Sequence, residues 1–219
     1  IVGLAAGTTA KELAAAFPNV QIDGIEIDSK IVAVGQKYFD MNEPNLNIIV
    51  QDGRWALSHS EKKYDIISID AYRPPYIPAS LTTQEFFQIV HDHLKPDGVM
   101  VINVGNTPND RRLVNSLYAT AATVFPTIYV SDLPSSFNSM LFATTGTTSV
   151  QNFMDNYAQL YADASTPQYL LQIMAQTYAG LHKQTEAGIV FTDDRAPVEQ
   201  ITNSMVVNYL LSGKVDSLR

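Results

Sequence analysis

The sequence predicts an α/β fold: an open, seven-stranded, mostly parallel sheet with an antiparallel last strand, followed by a helical extension. Three observations predict it. Apolar strand-like runs alternate with amphipathic helical runs from Ile1 to about residue 145. A turn of small residues, G-L-A-A-G-T-T-A from Gly3, joins the first strand to the first helix. The second, third and fourth strands each run into an acidic residue, so a parallel arrangement gathers carboxylates on one sheet edge. The sheet unit is expected to span residues 1–146, with the extension (147–219) packed on it.

Composition narrows the functional classes. The 219 residues are 46% hydrophobic and 16% charged, which suits one domain with a real core. A formal net charge of −8 argues against nucleic acid as a partner, because phosphates need a basic face. The basic pairs Lys62-Lys63 and Arg111-Arg112 read as solvated turns or helix ends. With no cysteine, disulfides, thiolate metal sites and a cysteine nucleophile are excluded. No apolar run reaches the ~18 residues of a membrane helix. The chain opens I-V-G-L within a strand, so a preceding segment is expected.

Ile1–Leu4 reads as the first strand, and the helix after its turn runs to Phe17. Gly3, Ala5 and Gly7 suit close approach of backbone amides to a ligand at that helix N-terminus, or simply a tight turn. Val20–Ile27 is the second strand. Glu26 at its end suits hydrogen bonds to ribose hydroxyls, and Asp28 suits the cap of the next helix. Asn47–Val50 is the third strand, followed by Asp52 and Gly53. Asp52 suits an N-cap and Gly53 a close backbone approach. Capping explains any one of these positions, whereas a nucleoside site explains the set.

Asp65–Ile69 reads as a buried fourth strand, and Asp70 ends it. The loop after it, A-Y-R-P-P-Y-I-P, is rigid with prolines and carries Tyr72, Arg73 and Tyr76. A carboxylate at this place in an open α/β sheet is where chemistry is expected. Thr82 or Thr83 caps the next helix, which runs to about Leu94. His91 and His93, two apart on it, read as surface residues and a poor metal pair. V-M-V-I-N-V from Val99 is the fifth strand, Asn109–Phe125 a helix, and Thr127–Ser131 and Ser139–Thr145 the last strands. Beyond Gly146, Val150–Asp163 and Pro167–His182 read as helices, with Tyr157, Leu160 and Tyr161 as a packing stripe. Asp193 and Asp194 suit turn and cap positions, or a substrate contact, ahead of Pro197 and a last helix that Gly213 stops.

Five segments together carry a resemblance: G-L-A-A-G-T-T-A-K-E-L, G-I-E-I-D, Q-D-G-R, Y-D-I-I-S-I-D-A-Y, and F-F before L-K-P-D-G-V. Over roughly residues 1–145 the chain resembles the spermidine and spermine synthases, aminopropyltransferases with the S-adenosylmethionine-type Rossmann fold. The tail T-D-D-R-A-P-V-E resembles a subset in which the synthase-like domain follows membrane helices. The resemblance implies decarboxylated S-adenosylmethionine, or S-adenosylmethionine itself, as co-substrate, a small amine acceptor, no metal, no nucleic acid, a homodimer and a cytoplasmic location. It implies that Gly3, Ala5, Gly7 and Gly53 line the nucleoside site, Glu26 holds the ribose and Asp52 lies near the adenine. It makes Asp70 the catalytic base, with Tyr72 beside it, and puts Arg73 and Tyr76 at the acceptor.

Two departures stand out. The family's glycine turn usually carries an acidic residue where this chain has Ala6, and its strand-four motif usually has a second acidic residue, three after the base, where this chain has Arg73. A guanidinium near an ammonium is repulsive, so an acceptor other than putrescine is expected, such as an amine bearing a carboxylate. Two alternatives stay open: an S-adenosylmethionine-dependent methyltransferase, and a non-catalytic nucleoside-sensing domain of a membrane protein.

Overall fold

The computed structural model describes residues 1–72, 76–134, 136–182 and 187–212. Arg73 and the helix stop expected at Gly213 lie outside the described residues. Four parallel-running strands occupy the first half: β1 (Ile22–Glu26), β2 (Leu46–Val50), β3 (Tyr64–Ile69) and β4 (Leu94–Gly105). Helices α1 (Thr8–Ala16), α2 (Ser29–Tyr38), α3 (Gly53–Ser58) and α4 (Gln84–His93) alternate with them. Then come α5 (Arg112–Ala121), β5 (Thr127–Asp132), β6 (Asn138–Thr144), α6 (Val150–Ala162), α7 (Gln168–Gly180), β7 (Leu181–His182) and α8 (Val198–Leu211).

The strands form two sheets rather than one of seven: β1-β2, and β3-β4-β6-β5-β7. The expected first strand shrinks to a single laddered residue. Val2 bridges Ile25 on one side and Ile69 on the other, both in parallel. Its amide donates to Ser68 O at 2.7 Å, and its carbonyl accepts from Asp70 N at 2.9 Å. Gly3 then turns to φ 90°, which ends any further ladder. Val2 therefore joins the two sheets, with β1 and β3 flanking it.

Pairing is parallel for β1·β2 and β3·β4, and antiparallel for β4·β6, β5·β6 and β5·β7. The antiparallel finish thus includes β7, within a stretch that reads as helix in the sequence. Leu181 and His182 leave the helix because they pair with Ser131 and Val130. β3 is buried only in its second half, where Ile67 and Ile69 enter the core while Ile66 stays exposed. Helix α5 is shorter than Asn109–Phe125, since Thr107 and Asp110 pair with each other ahead of it.

Core formation follows from the apolar strand faces. Phe86, Phe87, Met100, Ile102, Val104 and Leu117 are fully buried in one cluster. The C-terminal part joins it through Phe191, Val198, Ile201 and Met205. Helices α6 and α7 bury no residue, and Tyr161 of the expected packing stripe is exposed. The basic pairs are engaged rather than merely solvated. Lys62 bridges Asp23, Lys63 reaches Asp92 O, Arg111 forks onto Asp132, and Arg112 onto Asp110. His93 is also no surface residue: its ring meets Ile89 O at 2.7 Å and Ser60 O at 3.1 Å. Among the described residues, no helix is long and apolar enough to cross a membrane.

Candidate active site

Parallel strands bring Gly3, Glu26, Asp52 and Asp70 to one edge, and backbone bonds tie them together there. The turn after Val2 has three residues in the left-handed region: Gly3 (φ 90°), Ala5 (φ 48°) and Gly7 (φ 84°). Such a conformation is uncommon for alanine and marks a site that its surroundings enforce. The enforcing group is Glu26, whose Oε2 accepts from Ala5 N at 2.9 Å. Its Oε1 accepts from Asp28 N at 3.1 Å, and the residue is only 7% exposed. Each carboxylate oxygen offers two lone pairs, so each keeps one for a ligand hydroxyl. A pre-aimed bidentate acceptor of this kind fits a ribose diol.

Asp28 and Asp52 both cap helices, with Asp28 accepting from Lys30 N and Asp52 Oδ1 from Trp55 N, each at 2.8 Å. Asp52 Oδ2 has no hydrogen-bond partner among the described residues, so capping leaves one acceptor for a ligand. Gly53 has a packing reason to be glycine, since a Cβ there meets Val2 Cγ1 at 2.5 Å. Gly3 has one too, since a Cβ there lies 2.6 Å from Asp70 O. That contact sets the turn directly against the strand end that carries Asp70.

Asp70 is exposed at this edge, and its Oδ1 accepts from Asn103 Nδ2 at 3.0 Å. Its Oδ2 has no hydrogen-bond partner among the described residues. Tyr72 is half-buried and donates its hydroxyl to Asn103 O at 3.1 Å. Burial, assisted by the nearby Asp70 charge, pushes the Tyr72 phenol up to about 12, so it remains protonated near neutral pH. The bond ties Tyr72 to β4. Tyr76 donates to Asn203 Oδ1 at 2.6 Å, which commits its hydroxyl to α8.

Two features escape sequence reasoning. The first is Asn103, whose only signal was one amide-bearing residue inside the apolar run V-M-V-I-N-V. The second is a clamp between Arg54 and Asp193, with nitrogen–oxygen distances of 2.7 and 2.6 Å. Thr83 Oγ1 also donates to Asp193 at 2.7 Å, and Asp193 N donates to Glu85 Oε2 at 3.0 Å. Asp193 therefore sits at a turn position, between the bridged Thr192 and Arg195, but its side chain caps no helix. It fastens the C-terminal segment to the helix beside Asp52 and to the start of α4.

The Arg54 guanidinium holds the Asp193 carboxyl below the usual carboxylate range. A depressed folded value contributes stability above the ordinary carboxylate pKa of about 3.9, and that stability is lost as pH falls through the folded value. Asp193 is 43% exposed, so solvent screening limits the pair to about 1 kcal/mol. Asp193→Asn is expected to lower Tm by about 2–4 °C at pH 7. Thermal melts should show that gap closing as pH falls through and below the ordinary carboxylate range.

Three carboxylates on one edge of a chain with net charge −8 favour a cationic ligand. Glu26 offers a bidentate acceptor on one side and Asp70 an exposed carboxylate on the other. Residues 1–177 match the family described as Spermine/spermidine synthase domain. A probable polyamine aminopropyl transferase of Bifidobacterium longum is 33% identical over 213 residues, covering 91% of this chain and 47% of that protein. The polyamine aminopropyltransferase of Vibrio vulnificus is 28% identical over 172 residues, covering 76% and 56%. The chain thus spans about half the length of the curated relatives it matches. Among solved structures, a spermidine synthase with the transition-state analogue AdoDATO aligns at TM-score 0.68 and 22% identity, covering 81% of this chain and 64% of that one. Human methyltransferase-like protein 13 with SAH aligns at 0.60 and 23%, covering 84% and 82%. Both share the methyltransferase-like Rossmann fold. By the match over residues 1–177, this chain belongs to the spermine/spermidine synthase family.

Proposed function

We propose that this chain transfers an aminopropyl group from decarboxylated S-adenosylmethionine to an amine, with Asp70 as the base. The observation that carries the reading is Asp70 itself: an exposed carboxylate with a free Oδ2, set by Gly3 against the turn that Glu26 holds. A primary amine with a pKa near about 10.4 is mostly protonated at neutral pH. Asp70 takes one of its protons, and the nitrogen lone pair attacks the propyl carbon bound to sulfur. As the C–N bond forms, the C–S bond breaks and its electrons pass to sulfur. The sulfonium becomes neutral methylthioadenosine, a leaving group that needs no acid. Glu26 and Asp52 hold the nucleoside, so the work of the site is positioning plus one proton transfer. We place this activity in the cytoplasm, in a homodimer, either free or as part of a membrane protein.

A methyltransferase using S-adenosylmethionine is the second reading. Ala6 favours it, because a site without an acidic residue there tolerates the carboxylate that S-adenosylmethionine keeps. Calorimetric titration with the two nucleosides tests the choice. Tighter binding of the decarboxylated form supports aminopropyl transfer, and tighter binding of S-adenosylmethionine overturns it.

The acceptor is proposed to carry a carboxylate as well as an amine, on the strength of Arg73 in the sequence after Asp70. Arg73→Asp is expected to move preference toward diamines by about 10-fold or more in kcat/KM, as one charge reversal at a binding site does. A competition assay with a diamine and an amino acid of similar length reads it. Putrescine turnover by the unaltered chain at about 1 s⁻¹ or faster would remove the argument.

A further inference from the structure

Asn103 stands near the end of β4 between Ile102 and Val104, both fully buried. Its carboxamide Nδ2 donates to Asp70 Oδ1 at 3.0 Å, and its backbone oxygen receives the Tyr72 hydroxyl at 3.1 Å. The other end of the carboxamide is anomalous. Asn103 Oδ1 is buried and has no hydrogen-bond partner among the described residues. Turning the amide over offers no relief, because Oδ1 would then face a carboxylate oxygen. A buried carbonyl oxygen left unpaired costs stability, and an apolar side chain of the same size avoids that cost. The asparagine is thus a poor choice for packing and a good one for its donor end.

We propose that Asn103 is a positioning residue of the transfer reaction, fixing Asp70 Oδ1 so that Oδ2 alone faces the incoming amine. This rests on the reading of Asp70 as base. Without the amide donor, the exposed Asp70 side chain turns about its own bonds and both oxygens compete for solvent. Reaction then waits on a rotamer that the native site holds ready, and small misplacements of this kind are costly in rate. Since Asn103 bonds the proposed base, its loss is expected to fall on kcat.

Two variants test this. Asn103→Leu removes the donor and the orphaned oxygen together. It is expected to lower kcat by about 10–100-fold, with acceptor KM within about 3-fold, while Tm stays level or rises. Asn103→Asp keeps shape but puts a second carboxylate against Asp70. Two carboxylates at that distance share a proton as pH falls, and the shared proton restores a donor facing Asp70. The ratio of Asn103→Asp to unaltered kcat should therefore climb as pH is lowered from 8 toward about 5. Tyr72, the other titratable group here, stays protonated throughout that range. If both variants keep kcat within about 3-fold, or if Asn103→Leu loses Tm in step with kcat, the role is overturned.

A readout without turnover separates this inference from the proposed reaction. The Asn103 side-chain amide signals in a nitrogen–proton correlation spectrum should shift when Asp70 is changed to Ala. Unmoved signals overturn the pairing even in an active enzyme. Moved signals with no amine turned over by the unaltered chain uphold the pairing and count against aminopropyl transfer instead.

Discussion

Asp70→Asn is expected to lower kcat by about 10²–10⁴-fold while leaving nucleoside affinity within about 2-fold. The substitution keeps the side-chain shape, and Asn103 Nδ2 still finds an oxygen to donate to. Asp70 is exposed, so little folding energy is at stake. What disappears is the acceptor for the amine proton and the charge that favours the ammonium before attack. Glu26 and Asp52 are untouched, so calorimetry with the nucleoside should look native. Steady-state rates at saturating amine measure the loss, and a kcat within about 3-fold of native would remove Asp70 from the chemistry.

Glu26→Ala is expected to act at the opposite end of the same site. It removes both acceptors offered to the ribose, and nucleoside affinity should fall about 100-fold or more. It also strips Ala5 N and Asp28 N of their partner. Ala5 is then held at φ 48° by nothing that its own side chain favours. Stability should drop by about 2–4 kcal/mol, since both bonds go to a charged group. Urea denaturation with and without nucleoside reads both effects. The nucleoside should stabilise the native chain and fail to stabilise the variant.

These two residues were legible in the sequence because parallel sheets make position along the chain equivalent to position in space. A strand that ends in Glu26 or Asp70 delivers it to the same edge, whatever the details of packing. The boundary of the first strand was less legible, because the sequence does not show that Gly3 turns away against Asp70 O. Gly53 likewise has a packing role that the sequence does not display, the place of its side chain being filled by Val2. β7 was hidden because helical periodicity continues up to Gly180, and only the pairing with β5 takes Leu181 and His182 out of the helix. Arg54 and Asp193 are 139 positions apart, and no local pattern joins them. Asn103 lay in view as a polar residue in an apolar strand, but its meaning depends on which neighbouring strand end it faces.

The clamp also explains how the tail T-D-D-R-A-P-V-E bears on the site. Arg54 follows Asp52 by two positions and additionally donates to Ser80 O, in the turn that closes the loop after Asp70. Asp193, Arg54, Ser80 and Thr83 are thereby linked, which ties the start of α3 and the start of α4 to one C-terminal segment. A fold that binds nucleoside without this fastening has less reason to keep the two helix starts in fixed register.

The central claim is tested most directly by incubating the full chain with decarboxylated S-adenosylmethionine and a panel of amines, diamines and amino acids. Methylthioadenosine and the aminopropylated acceptor are quantified together by mass spectrometry, for the native chain and for Asp70→Asn. The two products should accumulate in equal amounts with at least one acceptor, and both should fall together in the variant. Methylthioadenosine without an aminopropylated partner, nucleoside binding with no turnover of any amine, or a methylated acceptor formed from S-adenosylmethionine instead would contradict it.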